Sequence, residues 1–166
     1  MSYFRTMIKA ILFSLLFVTS SAVFAQDLNT VFTKDLSRWK FDGKEFQTVF
    51  SNDWDEWKVG SYRIKTVFSN DWDRWQIGSD VEFKTVFSDD FDGWEIKGHG
   101  KTIRVRTTFS DDYERWSISG DADGSLRTVF SDNFERWKVT IDADNLEEDL
   151  KYAIVFIAIF ASFHLN

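Results

Sequence analysis

The chain contains no cysteine and no proline among its 166 residues, and it has only two histidines. The absence of cysteine excludes a disulfide framework, thiol catalysis and a thiolate metal site. With two histidines, a histidine-rich metal centre or a dense set of catalytic acids and bases is hard to assemble. The formal net charge of -7 is not typical of nucleic-acid binding, which needs a concentrated basic surface. An apolar fraction of 43% nevertheless indicates a folded domain.

The first 25 residues have the layout of a secretory signal peptide. Basic residues Arg5 and Lys9 lie at the start of an apolar run over residues 8–18, and small residues follow up to Ala25. The run is shorter than the ~20 helical residues that cross a bilayer core. We therefore predict cleavage after Ala25 and export to the bacterial periplasm or the extracellular space. The alternative is an uncleaved amphipathic or core helix.

A ten-residue block close to TVFSDDFERW occurs six times without gaps. The blocks start at Thr30, Thr48, Thr66, Thr85, Thr107 and Thr128, and their ten positions are numbered here from that threonine. Such self-similarity indicates one supersecondary unit repeated six times. Because the blocks start 18 to 22 residues apart, each unit has room for two short strands and two turns.

Within each unit the apolar residues alternate with polar ones, which is the strand period. Both arms are rich in Val, Ile, Phe, Trp and Thr, and the turns carry Gly, Ser, Asn and Asp. We predict about twelve antiparallel strands in meander order over residues 26–144. We expect the block tryptophans to face inward, with threonines between them and with the phenylalanines at position 3, which are Phe50, Phe68, Phe87, Phe109 and Phe130.

The C-terminal segment, residues 145–166, has a different pattern. Asn145 and Glu148 have the spacing of an N-cap and its capping-box partner, and residues 153–163 contain no charge. A helix that is apolar all round is buried in protein or in a membrane, and this one is too short to cross a membrane comfortably. We predict that it packs in or on the sheet, in one domain with the repeats. The alternatives are an open sheet covered on one face and a membrane-inserted tail.

Twelve strands enclose more space than side chains alone fill, so a closed or nearly closed barrel around this helix is the expected fold. A meander of about twelve strands followed by a hydrophobic C-terminal helix resembles the tubby-like fold of tubby C-terminal domains, phospholipid scramblases and LURP-one-related proteins. The likeness covers most of the chain and rests on architecture, with residues 150–163 similar in character to the helix that fills those barrels. For some members the resemblance implies association with lipids or phosphoinositides.

Two sets of turn residues are candidate binding groups. Aromatic rings at position 7 would suit stacking on sugars, and the residues are Trp54, Trp72, Phe91, Tyr113 and Phe134, with Leu36 in the first unit. Carboxylates at position 6 would suit Ca²⁺, and the residues are Asp53, Asp71, Asp90 and Asp112. Packing between turns and hydrogen-bonding of turn backbone are the competing explanations, and both are favoured here.

A belt of basic side chains is predicted on the outer face of the sheet. Its members are Arg38, Lys65, Arg74, Lys84, Arg106, Arg115, Arg127 and Arg136. Such a belt would suit an anionic lipid surface or an envelope polysaccharide, and plain solvation explains it equally well.

No nucleophile motif or cofactor motif is recognisable, and six near-equivalent units distribute every acid evenly. A catalytic pocket would require one repeat that differs from the others, and the only candidate is unit four, with Gly93 and the loop around His99. The sequence therefore favours a non-enzymatic, monomeric exported protein with a structural or binding role at the cell envelope. A glycan- or Ca²⁺-binding module that uses the turns is the alternative.

Overall fold

The computed structural model describes residues 25–165 except Asn52 and Asn70, and the predicted signal segment before Ala25 lies outside the described residues. The described chain forms twelve strands, one α-helix and a short π-helical segment. The strands are β1 (Ala25–Thr30), β2 (Arg38–Phe41), β3 (Lys44–Thr48), β4 (Glu56–Val59), β5 (Tyr62–Thr66), β6 (Arg74–Ile77), β7 (Val81–Phe87), β8 (Asp90–Gly98), β9 (Lys101–Thr107), β10 (Arg115–Gly120), β11 (Asp123–Phe130) and β12 (Asn133–Asp142). They are followed by α1 (Glu148–Phe160) and the π-helical segment Ala161–Leu165.

Every strand pairs antiparallel with its neighbours in sequence, and β1 pairs with β12, so the sheet closes into a barrel. At the closing seam Leu28 lies opposite Trp137 on one side and Phe41 on the other. The predicted twelve-stranded antiparallel barrel is therefore confirmed. Closure also pairs the two terminal strands, which would otherwise be edges open to aggregation.

The inner face of the barrel is a layer of tryptophans and aliphatic side chains. Strand alternation places residues such as Trp57 and Val59 inside, with Lys58 between them exposed. The six tryptophans at position 10 are at most 1% exposed, and they are Trp39, Trp57, Trp75, Trp94, Trp116 and Trp137. Each lies in register with a small or aliphatic partner, as Trp75 does with Thr66.

Helix α1 fills the barrel interior. Every residue of α1 from Asp149 to Phe160 is buried except Lys151. The Phe156 ring lies 4.8 Å from that of Trp75 and 5.6 Å from that of Trp57, measured between centroids. The Phe160 ring lies 5.2 Å from that of Trp94. The prediction that the protein itself buries this apolar segment is thus confirmed.

The phenylalanines at position 3 do not face the interior, contrary to the sequence prediction. Phe32, Phe50, Phe68, Phe87, Phe109 and Phe130 are 56–68% exposed. In the two longest hairpins the strand register shifts between Thr85 and Phe87 and between Thr128 and Phe130, and in the other four blocks the strand ends at the threonine, so that the phenylalanine lies beyond it. Because a bulge breaks the period of two, the residue after it points to the other face. The threonine stays in register with tryptophan, and the phenylalanine turns outward.

The predicted capping box at the helix start is also wrong. The helix begins at Glu148, and Asn145 has a left-handed backbone with φ 54° instead of capping it. The carboxylate of Asp149 accepts the N–H of Leu150 at 2.9 Å, so the first turn supplies its own acceptor. Lys101 contacts the segment just before the helix. Its Nζ donates to the Asn145 carbonyl at 3.0 Å and to the Glu147 carboxylate at 2.6 Å.

His99, in the loop between β8 and β9, connects that loop to the N-terminal end of α1. Its Nε2 lies 2.8 Å from the carboxylate of Asp149, whose side chain is only 10% exposed. The hydrogen bond to Asp149 is the largest cause that raises the pKa of His99, and Glu147 and Asp80 add attraction from nearby. His99, the candidate for a catalytic role in the sequence analysis, is therefore hydrogen-bonded to the buried helix α1.

None of the helices in the described part of the chain is both long and apolar enough to cross a membrane.

Replacing Phe156 with alanine should lower the free energy of unfolding by about 3–5 kcal/mol, because it leaves a cavity between three aromatic rings. Urea unfolding followed by tryptophan fluorescence measures the change. The matched control is Phe68→Ala, which removes the same side chain from an exposed site and should change stability by less than about 0.5 kcal/mol. Equal effects of the two substitutions would contradict the central position of α1.

The pair of His99 and Asp149 should make stability depend on pH near neutrality. A raised folded pKa means that the pair stabilises the fold fully below the unfolded histidine pKa of about 6.5, and the contribution is lost as pH rises through the folded pKa. His99→Asn is a suitable non-titrating variant, since His99 has φ 51° and asparagine tolerates that region. The difference in unfolding free energy between the two proteins should shrink from about pH 6 to about pH 9. A pH-independent difference would refute the charged pair.

Candidate functional site

The turns inside the blocks are held by an aspartate or asparagine at position 6. In every block its Oδ1 accepts a hydrogen bond from the backbone N–H two residues later, over 2.9–3.1 Å. This is an Asx turn. The acceptors include all four predicted Ca²⁺ ligands, Asp53, Asp71, Asp90 and Asp112, together with Asp35 and Asn133. In the described part of the chain no three His, Cys, Asp or Glu side chains are grouped to hold a metal ion.

The tryptophan at position 10 closes the same turn from inside. Its indole Nε1–H donates to the backbone carbonyl of position 7 in all six blocks, over 2.7–3.2 Å. A buried indole must find an acceptor for this N–H. The side chain that fills the barrel therefore also determines the shape of the turn.

Carboxylates at position 8 of the last four blocks connect each of their turns to the turn that follows. Asp73 accepts from the backbone N–H of Asp89 at 3.1–3.2 Å and from the Ser88 hydroxyl at 3.1 Å. Asp92 makes the same contacts with the next turn, Glu114 accepts from the one after it, and Glu135 accepts the N–H of Lys34 at 2.7 Å across the closing seam. These bonds run around one end of the barrel from the third turn through the sixth to the first, and this series is called the turn ring.

The donor in each of these contacts is a residue with a left-handed backbone. Lys34, Asp89, Asp111 and Asp132 have φ between 55° and 64°. This conformation aims the N–H of position 5 at the preceding turn. Asp and Asn tolerate it better than most residues, which is a physical reason for their frequency at this position.

The aromatic residues at position 7, predicted as ligand-binding groups, are half-buried beside the end of the helix. Trp54 stacks on Phe163 at 4.8 Å between ring centroids, and Trp72 contacts His164 at 4.3 Å. Phe91 lies 5.0 Å from His164, and burial lowers the pKa of that histidine. Tyr113 and Phe134 pack against the tryptophans of their own blocks.

Two grooves on this end of the barrel carry position-7 side chains together with acids. One, of about 230 Å³, is lined by Trp72, Phe91 and His164 with Asp71, Asp73 and Asp89. The other, of about 390 Å³, is lined by Tyr113, Phe134 and Leu165 with four carboxylates. The structure therefore brings the predicted aromatics and acids together, although most of these acids already hold the turn backbone.

A second surface, not predicted from the sequence, surrounds the barrel just behind the turn ring. It consists of the six exposed phenylalanines and of two outward residues for each block. These two are the residue at position 9 and the residue that immediately precedes the block. We call it the collar. The guanidinium of Arg38 lies over the Phe32 ring at 5.4 Å, and that of Arg136 lies 6.0 Å from the Phe130 ring.

The collar is strongly basic although the chain as a whole is acidic. Eight of its twelve outward positions carry lysine or arginine, the belt predicted above, and Glu56 is its one acid. Strand register places like charges opposite each other, since Arg74 lies across from Lys84 and Arg115 across from Arg127. Among the described residues no carboxylate lies within 4 Å of six of these cations, which are Lys65, Lys84, Arg106, Arg115, Arg127 and Arg136.

Comparison with models of known protein families, with curated proteins and with solved structures gives no match in any of the three. The resemblance to the tubby-like fold stays a prediction from architecture.

The turn ring should be sensitive to loss of a single position-8 carboxylate. Asp73→Ala leaves the N–H of Asp89 and the hydroxyls of Thr85 and Ser88 without their acceptor, so we expect a loss of about 1–3 kcal/mol in unfolding free energy. Thermal or urea unfolding measures it. Asp144→Ala, which removes an exposed carboxylate outside the turns, is the control and should be nearly neutral. A neutral Asp73→Ala would show that the ring does not connect the repeats.

Proposed function

We propose that this protein is a non-enzymatic binding protein of the cell envelope that acts through the outer surface of its barrel. The observation that carries the proposal is the set of six phenylalanines, one in each repeat, that are 56–68% exposed at equivalent places. Single exposed apolar residues are common on protein surfaces, whereas a repeated exposed set marks an interaction site.

The filled interior supports a role for the outer surface. Enzymes and small-molecule carriers usually use a concave pocket with a few convergent polar groups. Here α1 and the π-helical segment after it occupy the space inside the strands, and their buried residues are apolar apart from Asp149 and Ser162. Ser162 accepts the indole N–H of Trp137 at 3.0 Å and lies 2.9 Å from the Phe134 carbonyl, so its hydroxyl is already used.

The distribution of acids also favours binding over catalysis. A catalytic pair needs two carboxyl groups in different environments, with one pKa shifted from the other. The turn carboxylates of this barrel are arranged alike from repeat to repeat and serve as acceptors for backbone N–H groups. Placement at the envelope follows from the signal-like layout of the first 25 residues.

The alternative function is binding at the turn end of the barrel. The acidic groove lined by Trp72 and Phe91 favours it, because aromatic faces beside carboxylates suit neutral sugars. The Ca²⁺ version has less support, since the position-6 carboxylates already accept turn N–H groups. These grooves are lined by side chains that also support the helix end, whereas the collar phenylalanines have no comparable packing role.

The test is to replace the six collar phenylalanines with serine together and follow the protein in the cells that produce it. Because these rings are exposed, the variant should keep its circular dichroism spectrum and cooperative unfolding. The unchanged protein should remain with the washed envelope fraction, and the variant should appear in the wash. A control with serine at Lys40, Lys44 and Lys58, which are exposed outside the collar, should be retained. Retention of the phenylalanine variant would overturn the proposal.

A further inference from the structure

We propose that the collar binds an acidic polysaccharide, a chain of sugars that carry carboxylates, laid across the grooves between neighbouring repeats. This inference rests on the proposed function and names the class of its partner.

The groove between repeats three and four contains the groups that an acidic sugar needs. It has a volume of about 330 Å³ and is lined by Phe68, Arg74 and Lys84 together with Asp71, Asp73, Thr85 and Ser88. An exposed aromatic face stacks on the apolar face of a pyranose ring. Arginine and lysine pair with a carboxylate, and hydroxyl and carboxylate oxygens bind sugar hydroxyls.

The cations of this groove lack a full set of partners within the described chain. Arg74 reaches Glu82 only at 3.7 Å, and no carboxylate lies within 4 Å of Lys84. Arg74 and Lys84 are directly opposite in the register, so their like charges repel each other, although Glu82 and Glu95 lie beside them. A bound sugar carboxylate would relieve this repulsion.

A related groove, with Gly93 in place of the first cation, lies between the next two repeats. The groove between repeats four and five measures about 240 Å³ and is lined by Phe87, Arg106, Asp92 and Ser110, among others. With two strands per repeat and about 4.8 Å between strands, equivalent grooves lie about 10 Å apart around the barrel. This spacing is on the scale of a disaccharide unit, so one polymer chain can occupy successive grooves. A partner with repeating chemistry matches a protein with repeating sites.

Other polyanions fit the surface less well. Nucleic-acid binding needs a concentrated basic surface, and Asp71 and Asp73 line the same groove as the two cations. An anionic lipid surface would first meet the exposed turn acids Asp89, Asp111 and Asp132 at the end of the barrel. A polysaccharide that runs around the collar avoids the turn tips and uses the groove carboxylates as hydroxyl acceptors.

The experiment is titration calorimetry of the full chain with polygalacturonate, alginate and hyaluronate, with dextran as the neutral comparison. We expect at least one acidic polymer to bind and dextran to bind more than about tenfold more weakly. Raising NaCl from about 50 to about 500 mM should weaken binding, because the collar cations are exposed or half-exposed. Absence of binding to all three acidic polymers, or equal binding of dextran, would overturn the proposal.

Two variants assign the binding to the collar. The collar variant replaces four cations with glutamine: Lys84, Arg106, Arg115 and Arg127. It should weaken polysaccharide binding about tenfold or more, because it removes positive charge from the collar, and none of these four residues forms a salt bridge within the described chain. The same change at Lys40, Lys44 and Lys58 is the matched control and should bind like the unchanged protein. Unchanged affinity in the collar variant, or binding to phosphatidylglycerol vesicles without any polysaccharide binding, would contradict the inference.

Failure of this inference can be separated from failure of the proposed function. If the six-phenylalanine variant loses envelope retention while no acidic polymer binds, the collar is a binding surface with a different partner. If retention persists without the phenylalanines, the proposed function itself is wrong.

Discussion

The contact between the six block tryptophans and the C-terminal helix is the interaction on which the rest of the barrel depends. An eight-stranded barrel can fill its own interior with side chains, whereas twelve strands leave a wider space. Here α1 occupies that space, and the rings of Phe156 and Phe160 pack against the tryptophan layer. Because strand and helix surfaces bury each other, the closed sheet and the helix are expected to fold as one cooperative unit.

Each tryptophan also links this core to the turns through one hydrogen bond. Its ring fills the interior while its N–H donates to the carbonyl of position 7, and the position-6 side chain caps the same turn. Position 8 then connects the turn to the next repeat, as Asp73 does with Asp89. The acidic composition of the turns thus has a structural cause, and the short block carries core, turn and inter-repeat contact within ten residues.

Much of this architecture could be predicted from the chain, because periodicity and repetition report which surfaces are buried. The strand period predicted twelve strands, and the uncharged tail predicted a helix inside the sheet. The side to which Phe68 points could not be predicted, since β5 ends at Thr66 and the strand period does not extend into the turn residues that follow. The aspartates at position 5, with left-handed φ in Asp89, Asp111 and Asp132, were the signal available for that turn geometry.

The two faces of one repeat differ in what they contact. Thr66 and Trp75 face inward and belong to the core, whereas Phe68, beyond the end of β5, is exposed on the outside of the barrel. Under the proposed function, exposed rings repeated on one barrel would act as linked sites, so that contacts weak at one site become strong along a repeating partner. Near-identity of the repeats would then serve binding as well as folding, whereas an enzyme needs only one distinctive repeat.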